Sequence, residues 1–469
     1  MKHAWWPGSR GGHDGRDDPI RRPAVAGAFY PAEPDRLKSM VDSLLAEAGE
    51  AVLPDLVGLI APHAGYEYSG AVAAHAYRLL RDRKPDRVVV IAPSHFENFP
   101  FASVYGGDFY STPLGLVPID RAFADALSDA HPLVRRSSLG HESEQERGEH
   151  SLEVQLPFLQ RVLGEFQLVP VVMGDSKYDV CRALGMSLAR LIDGSDTVLV
   201  ASSDLSHYHP YSEAVELDRG TLDTIEAWNF LSLPRHEACG AGPIAAMMMA
   251  ADRLNTRRAR LVCYRNSGDA TGDRLRVVGY GALACLRGEE PFELGEPERV
   301  QLRAIARCAV EDAVLKRTSV GEAASSGPLH TLRGAFVTLT HGGELRGCVG
   351  HTVADRPLDA SVRESARMAA CEDRRFPPMQ AWELPGLEYE ISVLSPMHLV
   401  GRIEEVEIGQ HGVLVKQSEH VGVLLPRVAL DHRFDRQELL SAACRKAGLA
   451  GDAWRDSKTD IYSFTAQVF

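Results

Sequence analysis

Three short, continuously apolar segments of this chain each run straight into a turn that carries a metal-capable or acid/base side chain. Leu56–Ala61 (LVGLIA) runs into Pro62-His63-Ala64-Gly65-Tyr66. Arg87–Ala92 (RVVVIA) runs into Pro93-Ser94-His95, and Thr197–Ala201 (TVLVA) into Ser202-Ser203-Asp204-Leu205-Ser206-His207. Apolar runs of this length without alternation suit strands buried on both faces, the pattern of a parallel sheet. In open α/β sheets ligands bind outside the carboxyl ends of the strands. If the three strands are parallel neighbours, His63, His95, Asp204 and His207 converge in one cleft.

The rest of the first half fits that architecture. From Arg21 to about Arg287, strand-like and helix-like segments alternate. Asp35–Ala48, Gly70–Leu80, Ile119–Leu127, Leu152–Leu163, Tyr178–Ile192, Leu217–Asn229 and the Met-rich Gly240–Ala251 read as helices. Leu168–Met173 and Val277–Cys285 read as further strands. The expected fold class is α/β, a mostly parallel mixed sheet with helices on both faces.

Glu289–Pro297 (EEPFELGEP) breaks the pattern, and a domain boundary is expected there. The expected division is a disordered tail over 1–20, one domain over 21–288, a linker over 289–297 and a second domain over 298–469. The second domain reads as α+β. Arg299–Lys316, Leu358–Ala370 and Arg436–Ala447 have helical spacing. Gly334–Leu339 and Gly343–Val349 form a strand pair turning at Thr340-His341-Gly342, Leu387–Leu394 is a strand, and Gly412–Lys416 with Val421–Leu425 is a hairpin. Asp460–Val468 is a single closing strand.

With 469 residues the chain is too long for one ordinary domain. Its formal net charge of −13 argues against nucleic acid as the main partner, and neither half is basic. No apolar run is long enough to span a bilayer. The eight cysteines contain no C-x-x-C pair, and no secretory apolar segment opens the chain, so reduced thiols and a cytoplasmic location are expected.

Cys239 is the candidate third metal ligand beside His63 and His95. It stands just before the Met-rich helix, where a helix N-terminus is expected to lower a thiol pKa. Two imidazoles and one anion form the donor set of mononuclear non-haem iron sites, so Fe(II) is the expected metal. A thiolate in that set leaves copper and zinc open. His150 and Glu153 stand three apart, which puts them on one helix face, and Asp204 and His207 have the same spacing. His150 and Glu153 are expected to supply an orienting hydrogen bond or a general acid/base, and one of Asp204 and His207 to orient the other in an acid/base pair.

The run RRPAVAGAFYP (21–31) resembles the opening of Memo-like proteins. APHAGYEYSG (61–70), APSH (92–95), EHSLEVQLPFL (149–159), SSDLSHY (202–208) and ACGAGP (238–243) continue the resemblance over 21–287. It implies a fold similar to class III extradiol dioxygenases of the LigB type, which use non-haem iron. It also implies His63, His95 and Cys239 as the metal site, with Asp204 and His207 as pocket residues. The cysteine stands where ring-cleaving dioxygenases have a carboxylate, which speaks against catechol cleavage.

LRGCVG (345–350), RRFPP (374–378), EISVLSP (390–396) and GLAGDAW (448–454) resemble the AMMECR-one family over about 298–469. The two families together, with a radical-SAM protein, form the AmmeMemoRadiSam system, and the chain resembles a fusion of its B and A components. That resemblance implies a separate radical-SAM chain as partner, since no C-x-x-x-C-x-x-C run is present here. Arg346 and Cys348 are a candidate second site at a turn, with a structural turn as the alternative reading. Arg375 is a candidate anchor for an apolar ridge. A metal-dependent redox enzyme or component with His150, Asp204 and His207 as catalytic groups, a metal-binding scaffold, and a zinc-dependent hydrolase all remain open, and the substrate is unknown.

Overall fold

The computed structural model describes residues 19–142, 148–289, 292–317, 327–456 and 458–469. The first half is organised around a nine-stranded sheet. From edge to edge it runs His207–His209, Val277–Glu289, Leu56–Ala61, Thr197–Ser202, Arg87–Pro93, Leu168–Met173, Ala102–Val104 and Val134–Arg136. Thr256–Asn266 pairs additionally with Val277–Glu289. The four central strands, Leu56–Ala61 to Leu168–Met173, are mutually parallel, while the flanking pairs include antiparallel ones. Every residue of Leu56–Ala61, Thr197–Ser202 and Leu168–Met173 is buried, as a sheet covered on both faces requires.

Register decides where the chemistry lies. Ala61 pairs beside Ser202, and Ile91 beside Ala201. The three apolar segments are therefore adjacent parallel strands that end together, and their turns share one edge of the sheet.

Helix Ala241–Asp252 is buried along its whole length, which explains its small and Met-rich composition. It packs on helix Tyr178–Ile192, where a Cβ on Gly185 would meet the Ala246 carbonyl at 2.8 Å. That close approach is what the glycine permits.

Several elements differ from the sequence reading. Thr256–Asn266 (TRRARLVCYRN) is a strand that its arginines concealed. The Asp460–Val468 run breaks at Thr465 into Asp460–Phe464 and Ala466–Val468, which serve two different sheets. Of the tail expected over 1–20, residues 1–18 lie outside the described residues. Pro19 and Ile20 belong to the fold, since Ile20 pairs with Phe109 and the Pro19 carbonyl accepts from the Asp108 and Phe109 amides. Strand Val277–Glu289 runs up to the expected linker and helix Glu296–Leu315 begins within it, with residues 290 and 291 outside the described set.

The second half holds two four-stranded sheets among the described residues. One orders Glu344–His351, Ala335–His341, Leu387–Leu394 and Ala466–Val468; the other orders His398–Leu399, Asp460–Phe464, Gly412–Gln417 and His420–Leu424. The second of these docks on the first half: Leu399, Leu414 and Tyr462 belong to the same apolar core as the large sheet. Around that contact the Arg182 guanidinium and the Tyr178 hydroxyl both reach the Asp460 carboxylate. The Arg253 guanidinium donates to the Leu399 carbonyl at 3.0 Å.

Candidate metal centre

His63 follows the Leu56–Ala61 strand and is fully buried. Its tautomer is set by Ser202. The Ser202 hydroxyl donates to the Ser151 carbonyl at 2.6 Å, so its oxygen is left to accept. It accepts from Gln155 Nε2 at 2.7 Å and from His63 Nδ1 at 2.8 Å. The Gln155 amide is oriented in turn, because its Nε2 donates to the Pro62 carbonyl and its Oε1 accepts from Tyr77. The His63 proton is thereby assigned to Nδ1, and the bare Nε2 lies 3.1 Å from Cys239 Sγ.

His95, after the Arg87–Pro93 strand, is governed the same way by Glu149. The carboxylate accepts the His95 Nδ1 proton at 3.0 Å and its backbone N–H at 2.6 Å, and the His150 and Ser151 amides at 2.9 Å each. Burial opposes the Glu149 charge, but the hydrogen bonds and the positive potential of His95 and His150 outweigh it and hold the carboxyl down at about 2. His95 Nε2 is again left bare. Burial pulls the His95 pKa down, and the bond and charge of Glu149 more than offset that, for a net rise. Burial first, then the neighbouring His95, His150 and His207, keep His63 neutral, well below the ordinary imidazole value.

The ligand atoms of His63, His95 and Cys239 all lie within 4.8 Å of one another. Donors bound about 2.0–2.3 Å from one ion are separated by up to about 4.6 Å, so small side-chain adjustments bring all three onto one centre. The residues therefore fit a metal ion. His95, Glu149 and His150 also cluster within 4.8 Å, but four N–H groups already occupy the Glu149 oxygens, which makes that carboxylate an orienting partner.

The Cys239 thiol does not follow the expectation of a lowered pKa. Burial, followed by the Asp204 carboxylate, pushes it up, against the opposing N–H groups of Asp204 and Gly240. Desolvation of the thiolate outweighs the end of the helix two residues on.

His150 stacks on His95 with ring centroids 4.7 Å apart and faces His63 edge-on at 5.5 Å; burial pushes its pKa down to about 4. Asp204 is buried, and its Oδ1 accepts the His63 backbone N–H at 2.7 Å. Burial raises its carboxyl to about 7 despite that bond. The His207 ring, half-buried, is lowered by burial and bonds the Leu205 backbone. Asp204 and His207 thus bond backbone groups and do not orient one another. Glu153 is also reassigned. It is fully buried away from the triad, where its carboxylate takes Arg21, the Tyr30 hydroxyl and the amides of Ala24 and Val25. The opening motif and the Glu149–Leu159 motif are two sides of that clamp.

Arg346 and Cys348 lie inside strand Glu344–His351, since the turn is made by Gly342 and Gly343 at positive φ. Arg346 grips Glu383 through two hydrogen bonds of 2.6 and 3.1 Å. The Cys348 sulfur accepts from Thr338 at 3.2 Å. Arg375 binds Asp373 and the Cys348 carbonyl, which ties it to the strand, and its guanidinium lies 5.6 Å from the Phe376 ring centre. Glu149 and Ser202, which orient the two imidazoles, were not singled out in the sequence. The nearest signal was their place inside the EHSLEVQLPFL and SSDLSHY motifs.

No helix among the described residues is long and apolar enough to cross a membrane. A Memo-like protein family model matches residues 21–284, and an AMMECR1 family model matches 303–469. A MEMO1 family protein of Methanopyrus kandleri is 38% identical over 286 residues, covering 57% of this chain and 99% of that protein. One from Aeropyrum pernix is 39% identical, covering 56% and 99%. Among solved structures, an uncharacterized protein of Pyrococcus horikoshii matches at 33% identity and TM-score 0.34, over 36% of this chain and 88% of that one. An uncharacterized Escherichia coli protein matches at 15% identity and TM-score 0.34, over 48% and 99%. The chain belongs to the Memo-like family and joins it, in one polypeptide, to an AMMECR1 domain.

Proposed function

We propose that the chain binds one Fe(II) ion through His63 Nε2, His95 Nε2 and Cys239 Sγ and works as a non-haem redox enzyme or enzyme component. The observation that carries this reading is the pair of imidazoles whose protons are held on Nδ1 by Ser202 and Glu149, leaving both Nε2 lone pairs beside the thiol. Bound there, iron supplies a Lewis-acidic, one-electron centre with positions open beyond three protein ligands. Cys239 gives up its proton on metal binding, and the raised thiol pKa sets how strongly that uptake depends on pH. His150, whose ring stacks on His95 and faces His63, and His207, whose charge acts on His63, handle protons with Asp204, which also positions the His63 turn. The AMMECR1 part presents or recognises the substrate, and a separate radical-SAM protein is the partner, a reading supported by the joining of the two families in one chain.

A His/His/Cys donor set also suits zinc, and zinc would turn the same pocket toward hydrolysis. Cobalt(II) titration separates the donor set from adventitious binding. A thiolate-to-cobalt absorption band that saturates at about one equivalent and vanishes in Cys239→Ala supports the assigned ligands. An identical spectrum in the variant excludes Cys239. Oxygen consumption by the iron form, against ester or amide turnover by the zinc form, then decides between redox and hydrolytic chemistry.

A further inference from the structure

A cleft opens where the two halves meet. One wall is helix Tyr178–Ile192, and the other is formed by strand Gly412–Gln417, Ser418 and the segment around Lys458–Asp460. Its volume of about 660 Å³ lies in the range of small-molecule sites. The chain carries a formal charge of −13, yet this cleft is lined by Arg182, Arg190, Lys416 and Lys458 against only Asp179 and Asp460. Asp460 is already engaged by Arg182 and the Tyr178 hydroxyl. Arg190 and Lys458 are exposed and form no ion pair among the described residues. Lys416 donates to the Ser418 carbonyl at 2.9 Å and rests 4.9 Å above the Tyr178 ring. His131, on the rim, senses the same field: burial and then Arg182 and Arg190 lower its pKa.

We propose that this cleft is a second binding site, for a phosphate-bearing small molecule of nucleotide size, gripped by cations from both halves at once. Guanidinium forks match phosphate oxygens, and the two lysines add point charges from the opposite wall. Leu133 and Met186 give the uncharged part of the ligand an apolar surface. Because Arg182 and Arg190 belong to the first half and Lys416 and Lys458 to the second, a bound ligand stabilises the docking of the halves by mass action. The site is separate from the metal ligands and does not depend on the proposed redox function.

Calorimetric titration of the full chain with ADP and with inorganic pyrophosphate tests the proposal. At least one probe is expected to bind saturably, to weaken as salt is added, and to weaken by about tenfold or more in the Arg190→Glu/Lys458→Glu double variant. Lys458→Gln, which removes a charge without reversing it, is expected to weaken binding by a smaller factor and serves if the double variant unfolds. Cys239→Ala is expected to bind the probes as wild type does. Failure of both probes to bind wild type saturably would overturn the proposal, as would undiminished binding by the folded charge variants.

Discussion

Glu149 spends both carboxylate oxygens on N–H groups, two of them from His95, and Ser202 fixes the His63 proton from the other side. Glu149→Gln replaces one acceptor oxygen by a donor and frees the His95 ring. We expect Fe(II) affinity to fall by roughly 10–100-fold, read by competition with a chromophoric chelator, and Ser202→Ala to act likewise through His63. Unchanged affinity in both would mean that the tautomers do not matter. His63, His95 and Cys239 were legible in the sequence because each stands at the end of an apolar strand or the start of a helix. Glu149 and Ser202 were not, because they meet their imidazoles across 54 and 139 positions, and only the folded sheet closes that distance. His141 makes the stability of the fold depend on pH. Buried, with Nδ1 accepting from Tyr110 and Nε2 donating to the Ser103 carbonyl, it has its pKa pushed down to about 3. Its unfolded value is about 6.5. Between those values the unfolded chain takes up the proton and the native chain does not, so stability falls as pH drops, at a limiting slope of about 1.4 kcal/mol per unit. Glu149, held at about 2, acts with the same sign at lower pH. His63 and His150, lowered as well, add slope of the same sign, so urea unfolding between about pH 7 and 4 is expected to be steeper in wild type than in His141→Gln by up to about 1.4 kcal/mol per unit; equal slopes in the two would contradict this.

Among the elements, the contact between the Thr197–Ser202 strand and the start of helix Ala241–Asp252 matters most for the site. A Cβ on Gly240 would stand 2.3 Å from the Ser202 carbonyl and 2.4 Å from the Ser203 Cβ, so Gly240→Ala must push the helix start, and Cys239 with it, off the sheet. The expected cost is about 1–3 kcal/mol in urea unfolding, together with loss of metal uptake. Retained stability and uptake would show that this contact yields freely. Long elements with one clear pattern read directly from sequence: Leu168–Met173, Tyr178–Ile192 and Leu387–Leu394 occur as expected, residue for residue. Thr256–Asn266 did not, because its arginines, two half-buried and two exposed, obscure a strand whose order comes from pairing along Val277–Glu289. The Asp460–Val468 run kept its alternation across Thr465, and alternation alone does not reveal that one strand feeds two sheets.

At the scale of the whole molecule, the two halves share apolar core through Leu399, Leu414 and Tyr462, and Asp460 ties the second half to Tyr178 and Arg182. Asp460→Ala removes the acceptor that Arg182 and Tyr178 share, at a cost of about 1–3 kcal/mol. Scanning calorimetry is expected to show one transition for the wild type and two for the variant, whereas a single transition in both would mean that the apolar contact alone couples the halves. The proposed chemistry of the chain turns on the metal. Its most direct test is elemental analysis of anaerobically purified, Fe(II)-reconstituted wild type and Cys239→Ala. We predict about one iron per chain in the wild type and loss of that iron in the variant. A wild type that takes up no iron, or a variant that keeps it in full, would contradict the assignment of His63, His95 and Cys239 as the centre of this protein's chemistry.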